Sequence, residues 1–173
     1  MNICVYCSSS NLIDKRFIKL AEDTGKLIGQ KGHSLIYGGS NLGMMGAVAK
    51  HAKAHGAYIK AIIPQYFANL DEPEIDEKII TKCLGDRKEK MVEAADAFIV
   101  LPGGLGTLDE FFDTVALKSL NKHQKIVYLL NYENFFSPVV AYLEQLIELK
   151  FISQEPEMIY QNCQNLDELA EFL

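Results

Sequence analysis

The residues best suited to chemistry lie in Pro102-Gly-Gly-Leu-Gly-Thr-Leu-Asp-Glu110, directly after the apolar stretch Phe98-Ile-Val-Leu101. An apolar strand that stops at a proline, turns through glycines and enters a helix builds an anion site. Glycine lets the backbone adopt positive φ and approach a ligand, and the helix start adds unpaired amides and the positive end of its dipole. Gly103, Gly104, Leu105, Gly106 and Thr107 are therefore expected to hold a phosphate. Asp109 and Glu110 are the nearest carboxylates, and a phosphate alone disfavours two anions beside it, so at least one is expected to face a sugar or a developing cation. A structural reading competes. One or two glycines suffice for a tight turn, and Thr107-Leu-Asp-Glu110 also matches the S/T-x-x-E capping box, in which the glutamate only bonds the first helical amide.

Arg87 and Lys88 open a second candidate group after Gly85-Asp86. A solvated helix start explains them, with Glu89, Lys90 and Glu93 as i,i+4 partners, although cations at a helix N-terminus are slightly unfavourable and hint at another purpose. The turn Gly38 to Gly46 has the G-x4-G spacing, but Met44-Met45 stand where a Walker loop needs Lys-Ser/Thr, and no G-x-G-x-x-G is present. Triphosphate hydrolysis and dinucleotide redox chemistry lose support, and both methionines are expected to pack in the interior. Cys4 and Cys7 form C-x-x-C inside an apparent strand, where an offset of three places them on opposite faces rather than together. His51 and His55 are spaced i,i+4, but Ala52 replaces the glutamate of a zinc protease, so no metal is expected. No G-x-S-x-G elbow or Cys and His pair points to a nucleophile.

The elements that must position these residues alternate along the chain. Strands are expected at 2–7, Ser34–Tyr37, Tyr58–Ile63, Phe98–Leu101, Lys125–Leu130 and Met158–Tyr160, with a short one at Lys78–Lys82 after a surface loop at 65–77. Between them the apolar spacing predicts helices at Asp14–Gln30, from Gly46 to about His55, Asp86–Ala95, Thr107–Asn121, Phe136–Leu149 and Asp167–Phe172. Such alternation implies right-handed crossovers and an α/β fold: a doubly wound, Rossmann-like parallel sheet with helices on both faces. Ligands bind such sheets outside the carboxyl ends of the strands. Three turns lie there, at Cys7–Asn11, Gly38–Gly46 and Gly103–Thr107, and are expected to converge on one crevice. Ser8 and Gly39 are the candidate contacts from the first two.

At 173 residues, with 49% hydrophobic and 23% charged residues, the chain fits one globular domain spanning 1–173. Its 17 basic against 23 acidic side chains give a net charge of −6, which argues against nucleic acid or a membrane surface as partner. No apolar run is long enough to span a bilayer and no secretory leader is evident, so a cytoplasmic location with free thiols is expected.

Taken together, Pro102-Gly-Gly-Leu-Gly-Thr-Leu-Asp-Glu110 resembles the P-G-G-x-G-T-x-x-E signature of the Lonely Guy family, whose members are cytokinin riboside 5'-monophosphate phosphoribohydrolases, sometimes mislabelled lysine decarboxylases. Leu84-Gly85-Asp86-Arg87-Lys88 keeps the Arg-Lys pair of the family's M-H-x-R-K motif and loses Met and His. Tyr37-Gly-Gly-Ser-Asn-Leu-Gly-Met-Met-Gly46 and Val5-Tyr-Cys-Ser-Ser-Ser10 are similar to the family's other two turns, so the resemblance spans about residues 2–150.

The resemblance implies hydrolysis of the N-glycosidic bond of a purine nucleoside 5'-monophosphate, cytokinin-type or adenosine, to free base and ribose 5-phosphate. It makes Arg87 and Glu110 the catalytic pair, with Ser8, Gly39, Lys88, Gly103 to Thr107 and Asp109 binding substrate, no cofactor, and a homodimer as the assembly. Two departures fall on the base side by the same comparison: Gly85 replaces the motif histidine, and Ala116-Leu-Lys-Ser-Leu-Asn121 stands where the family commonly reads T-W-x-Q-L-G. Plain AMP or another purine monophosphate thus competes with prenylated adenine as substrate. The rival reading is a non-catalytic carrier of a nucleotide or of molybdenum cofactor, since related Rossmann-like carriers have a similar P-G-G-x-G-T turn. A pyridoxal phosphate decarboxylase has no sequence support.

Overall fold

The computed structural model describes residues 1–67 and 75–173; the part of the expected surface loop at 68–74 lies outside the described residues. In chain order the elements are β1 (Asn2–Tyr6), α1 (Lys15–Gln30), β2 (Ser34–Tyr37), α2 (Gly43–Ala54), β3 (Ile59–Pro64), β4 (Glu77–Thr81), α3 (Leu84–Ala94), β5 (Ala97–Val100), α4 (Leu105–Ser119), β6 (Ile126–Leu130), α5 (Ser137–Glu148), α6 (Pro156–Ile159), β7 (Gln161–Cys163) and α7 (Leu166–Phe172). The described strands form one seven-stranded sheet in the order β4-β3-β2-β1-β5-β6-β7, and every pairing is parallel. The α/β, doubly wound Rossmann-like architecture is therefore as expected. The order reverses at β1 and β5, whose registers align Tyr6 with Val100, and a crevice opens at such a reversal.

Alternation along each strand separates two cores. Ile3, Val5 and Cys7 face α1, α2 and α7, whereas Cys4 and Tyr6 face the side covered by α3, α4, α5 and α6. Cys4 and Cys7 accordingly lie on opposite faces, both buried as free thiols. Helix α1 starts where the Asp14 carboxylate accepts the Arg16 amide at 2.9 Å.

Several boundaries differ from the sequence expectation, among them the start of α2, expected at Gly46 and found at Gly43. The stretch expected as a strand at 158–160 is instead the end of α6, which Pro156 opens at a position where its missing N–H costs nothing; the strand follows as β7, pairing Tyr128 with Gln161. Helix α3 begins two residues early because Asp86 reaches back to accept the Lys82 amide at 2.9 Å. Helix α4 begins at Leu105 with Gly104 as its cap, two residues ahead of Thr107. No helix among the described residues is long and apolar enough to cross a membrane.

Helices α1 and α2 approach closely at Gly25, where an added Cβ would stand 2.3 Å from the Val48 carbonyl oxygen. Neither backbone can retreat without disturbing its contact with the sheet. Gly25→Ala is expected to lower stability by about 1–3 kcal/mol in denaturant unfolding.

Candidate active site

Hydrogen bonds between the expected turns draw them into one wall at the carboxyl edge of the sheet. The Ser8 amide reaches the Pro102 carbonyl at 3.4 Å, the Met45 amide donates to the Ser8 carbonyl at 3.2 Å, and the Gly43 amide donates to Asn11 Oδ1 at 2.8 Å. Above this wall lies a cleft of about 370 Å³, between the N-terminal ends of α3 and α4. Ser8, Arg87, Gly104, Gly106, Thr107, Asp109 and Glu110 all line it.

The start of α4 corrects two sequence expectations. Gly103, Gly104 and Gly106 do not use positive φ; among the described glycines only Gly32, Gly39, Gly43 and Gly56 do. What matters at Gly104 and Gly106 is the missing side chain: a Cβ there would meet no atom within 4 Å, so it would project into open space beside the cleft. Gly103 is required by packing, since its Cβ would lie 2.0 Å from Thr107 Oγ1. The capping box does not form. Gly104 caps the helix, Thr107 is its third residue, and Glu110 sits too far along to reach the first amide. The unpaired amides of the first turn remain available to an anion.

Glu110 instead turns inward and is 2% exposed. Its Oε1 accepts a hydrogen bond from Arg87 Nη2, joining α4 to the first turn of α3 in a nearly buried ion pair. Behind the guanidinium, an ideal Cβ on Gly38 would lie 3.3 Å from Nη1. The second turn thus makes room for Arg87 by lacking a side chain. Among the described residues, Arg87 Nε is the buried side-chain nitrogen without a hydrogen-bond partner. Burial raises the Glu110 pKa from 4.5 to about 7; Arg87 opposes that shift, and Asp109 adds to it. The carboxyl is held near its midpoint at neutral pH, the condition in which a proton can move either way. Cys7, also on the cleft, is a buried thiol whose pKa is raised by burial, and so stays protonated.

Other sequence candidates take different places. Lys88 does not line the cleft; its Nζ bridges Asp109 Oδ1 at 2.9 Å and Asp113 Oδ1 at 3.3 Å, fastening α3 to α4 behind the Arg87–Glu110 pair. Leu105 is 86% exposed and lies off the cleft lining. Gly39, at φ 83°, is buried where a Cβ would strike Ile63 Cγ1 at 2.3 Å, so its place is set by packing on β3. The Nδ1 atoms of His51 and His55 hydrogen-bond to the helical carbonyls of Ala47 and His51. Met44 is fully buried as expected, but Met45 lines the cleft together with Leu84 and Phe67, which sequence reasoning did not single out. The available signal was position: Leu84 lies one helical turn before Arg87, and Met45 lies at the end of the second turn.

Comparison with known proteins places the chain in a family. A family model described as possible lysine decarboxylase matches residues 45–173. A cytokinin riboside 5'-monophosphate phosphoribohydrolase of Mycobacterium tuberculosis is 35% identical over 153 residues, covering 87% of this chain and 81% of that relative. The chain belongs to the Lonely Guy family. Another relative, the cytokinin riboside 5'-monophosphate phosphoribohydrolase LOG of Oryza sativa subsp. japonica, is 32% identical over 97% of this chain and 70% of its own length. Among solved structures, the molybdenum cofactor carrier protein from Chlamydomonas reinhardtii superposes with a TM-score of 0.74 at 20% identity, covering 99% of this chain and 94% of that one. The molybdenum cofactor binding protein from Rippkaea orientalis gives 0.71 at 23% identity, covering 99% and 93%. At these identities the likeness shows the fold alone. The departures from the family's helix motif fall away from the cleft: Ala116 and Ser119 line a separate apolar cavity with Phe112, Leu143 and Leu146.

The raised pKa of Glu110 has a consequence for stability. The folded protein holds this proton more tightly than the unfolded chain, so the group's contribution to stability falls as the pH rises from 4.5 through about 7. Glu110→Gln carries no such charge. Denaturant unfolding at about pH 4.5 and about pH 7.5 is expected to show the stability difference moving in the variant's favour at the higher pH.

Proposed function

We propose that the protein hydrolyses the N-glycosidic bond of a purine nucleoside 5'-monophosphate, of cytokinin or adenosine type, releasing free base and ribose 5-phosphate. Membership of a family whose named relatives are phosphoribohydrolases supports this class. The observation that carries it in this chain is the buried Arg87–Glu110 pair, set on the cleft wall beyond the amide-lined start of α4.

The phosphate binds at Gly104, Gly106 and Thr107, where helix amides, the dipole and the Ser8 hydroxyl favour an anion. The ribose then lies along α4 toward Glu110. Breaking the bond between C1' and the base nitrogen leaves the bonding electrons on the base and builds oxocarbenium character on the ribose. The Glu110 carboxylate stabilises that cation and takes a proton from the attacking water, whose hydroxyl oxygen joins C1'; the same proton passes on to the nitrogen of the departing base, which leaves neutral and restores the carboxylate. Arg87 orients the ribose or phosphate with its remaining donors and keeps Glu110 in place. Asp109, held by Lys88, stands at the cleft edge as a sugar contact. No metal or cofactor takes part in this reading.

The reading places the activity in one nucleotide-binding domain spanning residues 1–173, in the cytoplasm, where free thiols such as Cys83 and Cys163 persist. It also includes a homodimer, supported by the open apolar cavity beside α4 that Phe112, Leu143 and Ile152 line. The rival is a non-catalytic carrier of a nucleotide or molybdenum cofactor. Simple carriage gives no reason to bury an ionisable carboxyl against an arginine, which favours the enzyme.

Incubation with AMP and with isopentenyladenosine monophosphate, followed by chromatography, is expected to yield free base and ribose 5-phosphate. Arg87→Ala and Glu110→Gln are each expected to lower turnover at least about a hundredfold while nucleotide still binds. Tight nucleotide binding with no base released from any purine monophosphate would establish the carrier instead.

A further inference from the structure

A second cavity, of about 320 Å³, lies on the other side of the glycine turn. It shares Ser8, Ser10 and Gly104 with the catalytic cleft, so the two spaces meet where the proposed function places the phosphate. The chemistry of the two differs. Among the described residues the second cavity's lining holds no ionisable side chain, and its far wall is Ile13, Phe17, Met44 and Phe135.

That wall is built rather than incidental. Phe17 and Phe135 meet edge to face with ring centroids 5.6 Å apart. Glu133 and Asn134, immediately before Phe135, both adopt left-handed backbone at φ 50° and 61°, an arrangement non-glycine residues enter only at a cost. Arg16 Nη1 donates to Glu133 Oε2 at 2.6 Å, and Asn131 Oδ1 accepts the Phe136 amide at 2.7 Å, so both ends of the strained turn are tied down. At the junction the Ser8 and Ser10 hydroxyl oxygens accept the amides of Ser10 and Leu12, at 3.1 and 3.2 Å, which leaves both O–H groups to donate.

We propose that this cavity receives an aromatic or apolar group carried on the 5'-phosphate, so that the protein binds nucleoside 5'-phosphodiesters as well as monophosphates. This rests on the phosphate position assigned above. With the ribose directed along α4 to Glu110, an opposite phosphate oxygen faces the junction, and a substituent on it enters the apolar chamber. The serine hydroxyls and helix amides still hold the unesterified oxygens, and the bond hydrolysed is unchanged.

The test measures equilibrium binding of AMP, its methyl ester and its phenyl ester to Glu110→Gln protein, with and without Ile13→Trp, a substitution that fills the chamber outside the catalytic cleft. The phenyl ester is expected to bind at least about tenfold tighter than the methyl ester, from burial of the ring. Ile13→Trp is expected to erase that advantage and leave AMP unchanged. Phe135→Ala, at a 42% exposed position, is expected to reduce the advantage too, and serves if the tryptophan variant fails to fold. Equal affinity for the two esters, binding of neither, or an advantage that survives both substitutions would overturn the proposal. A phenyl advantage in a protein whose wild type releases no base from any purine monophosphate would leave this site standing and defeat the glycosidase reading instead.

Discussion

Arg87 and Glu110 come from different helices and meet where neither is well solvated, and much of the structure at this edge exists to permit that meeting. A carboxylate withdrawn from water is costly unless an opposite charge and hydrogen bonds compensate. Compensation here is partial: the guanidinium lowers the Glu110 pKa, burial raises it further, and the carboxyl stays near 7. The supporting elements follow from this requirement. Asp86 extends α3 backward so that Arg87 falls in its first full turn, Gly38 clears space behind the guanidinium, and Lys88 ties α3 to α4 through Asp109 and Asp113. Deeper in, Thr114 donates to the Glu110 carbonyl at 2.8 Å and pairs with the Tyr6 hydroxyl at 3.0 Å, anchoring the same turn of α4 to β1.

The glycine turn and the ion pair therefore perform separate work on one helix. The turn offers amides and open space at Gly104 and Gly106, suited to a group that arrives from solvent already charged. Glu110, one and a half turns onward, offers a charge that can appear or vanish. In the proposed function, a phosphate held at the helix start and a titrating carboxyl at this separation together serve a phosphorylated sugar whose far carbon becomes positive. They suit less well a ligand that only needs to be held.

Much of this was legible in the sequence because its signals were local. The apolar run before Pro102, the helical spacing in Phe17, Ile18, Leu20 and Ala21, and the turns between them predict the alternating sheet and the edge at which ligands bind. The signals that misled were local too. Thr107-Leu-Asp-Glu110 has capping-box spacing, but the helix starts earlier at Gly104, and only the three-dimensional path turns Glu110 inward. Strand β7, Gln161-Asn-Cys163, carries no apolar run; its pairing with β6 defines it. Met45 and Met44 are indistinguishable by type, and the facing of α2 alone sends one into the core and the other to the cleft. Gly39 and Gly38 are likewise alike in sequence, yet one accommodates Ile63 and the other Arg87.

The central claim is that Arg87 and Glu110 act as one unit rather than as two independent contacts. A double-mutant cycle on AMP hydrolysis tests it most directly, with Arg87→Ala, Glu110→Gln and the combined variant compared under single-turnover conditions. Groups that work together lose their effect once either is removed, so the combined variant is expected to fall within about threefold of the slower single variant. Losses that multiply across the cycle would contradict the account.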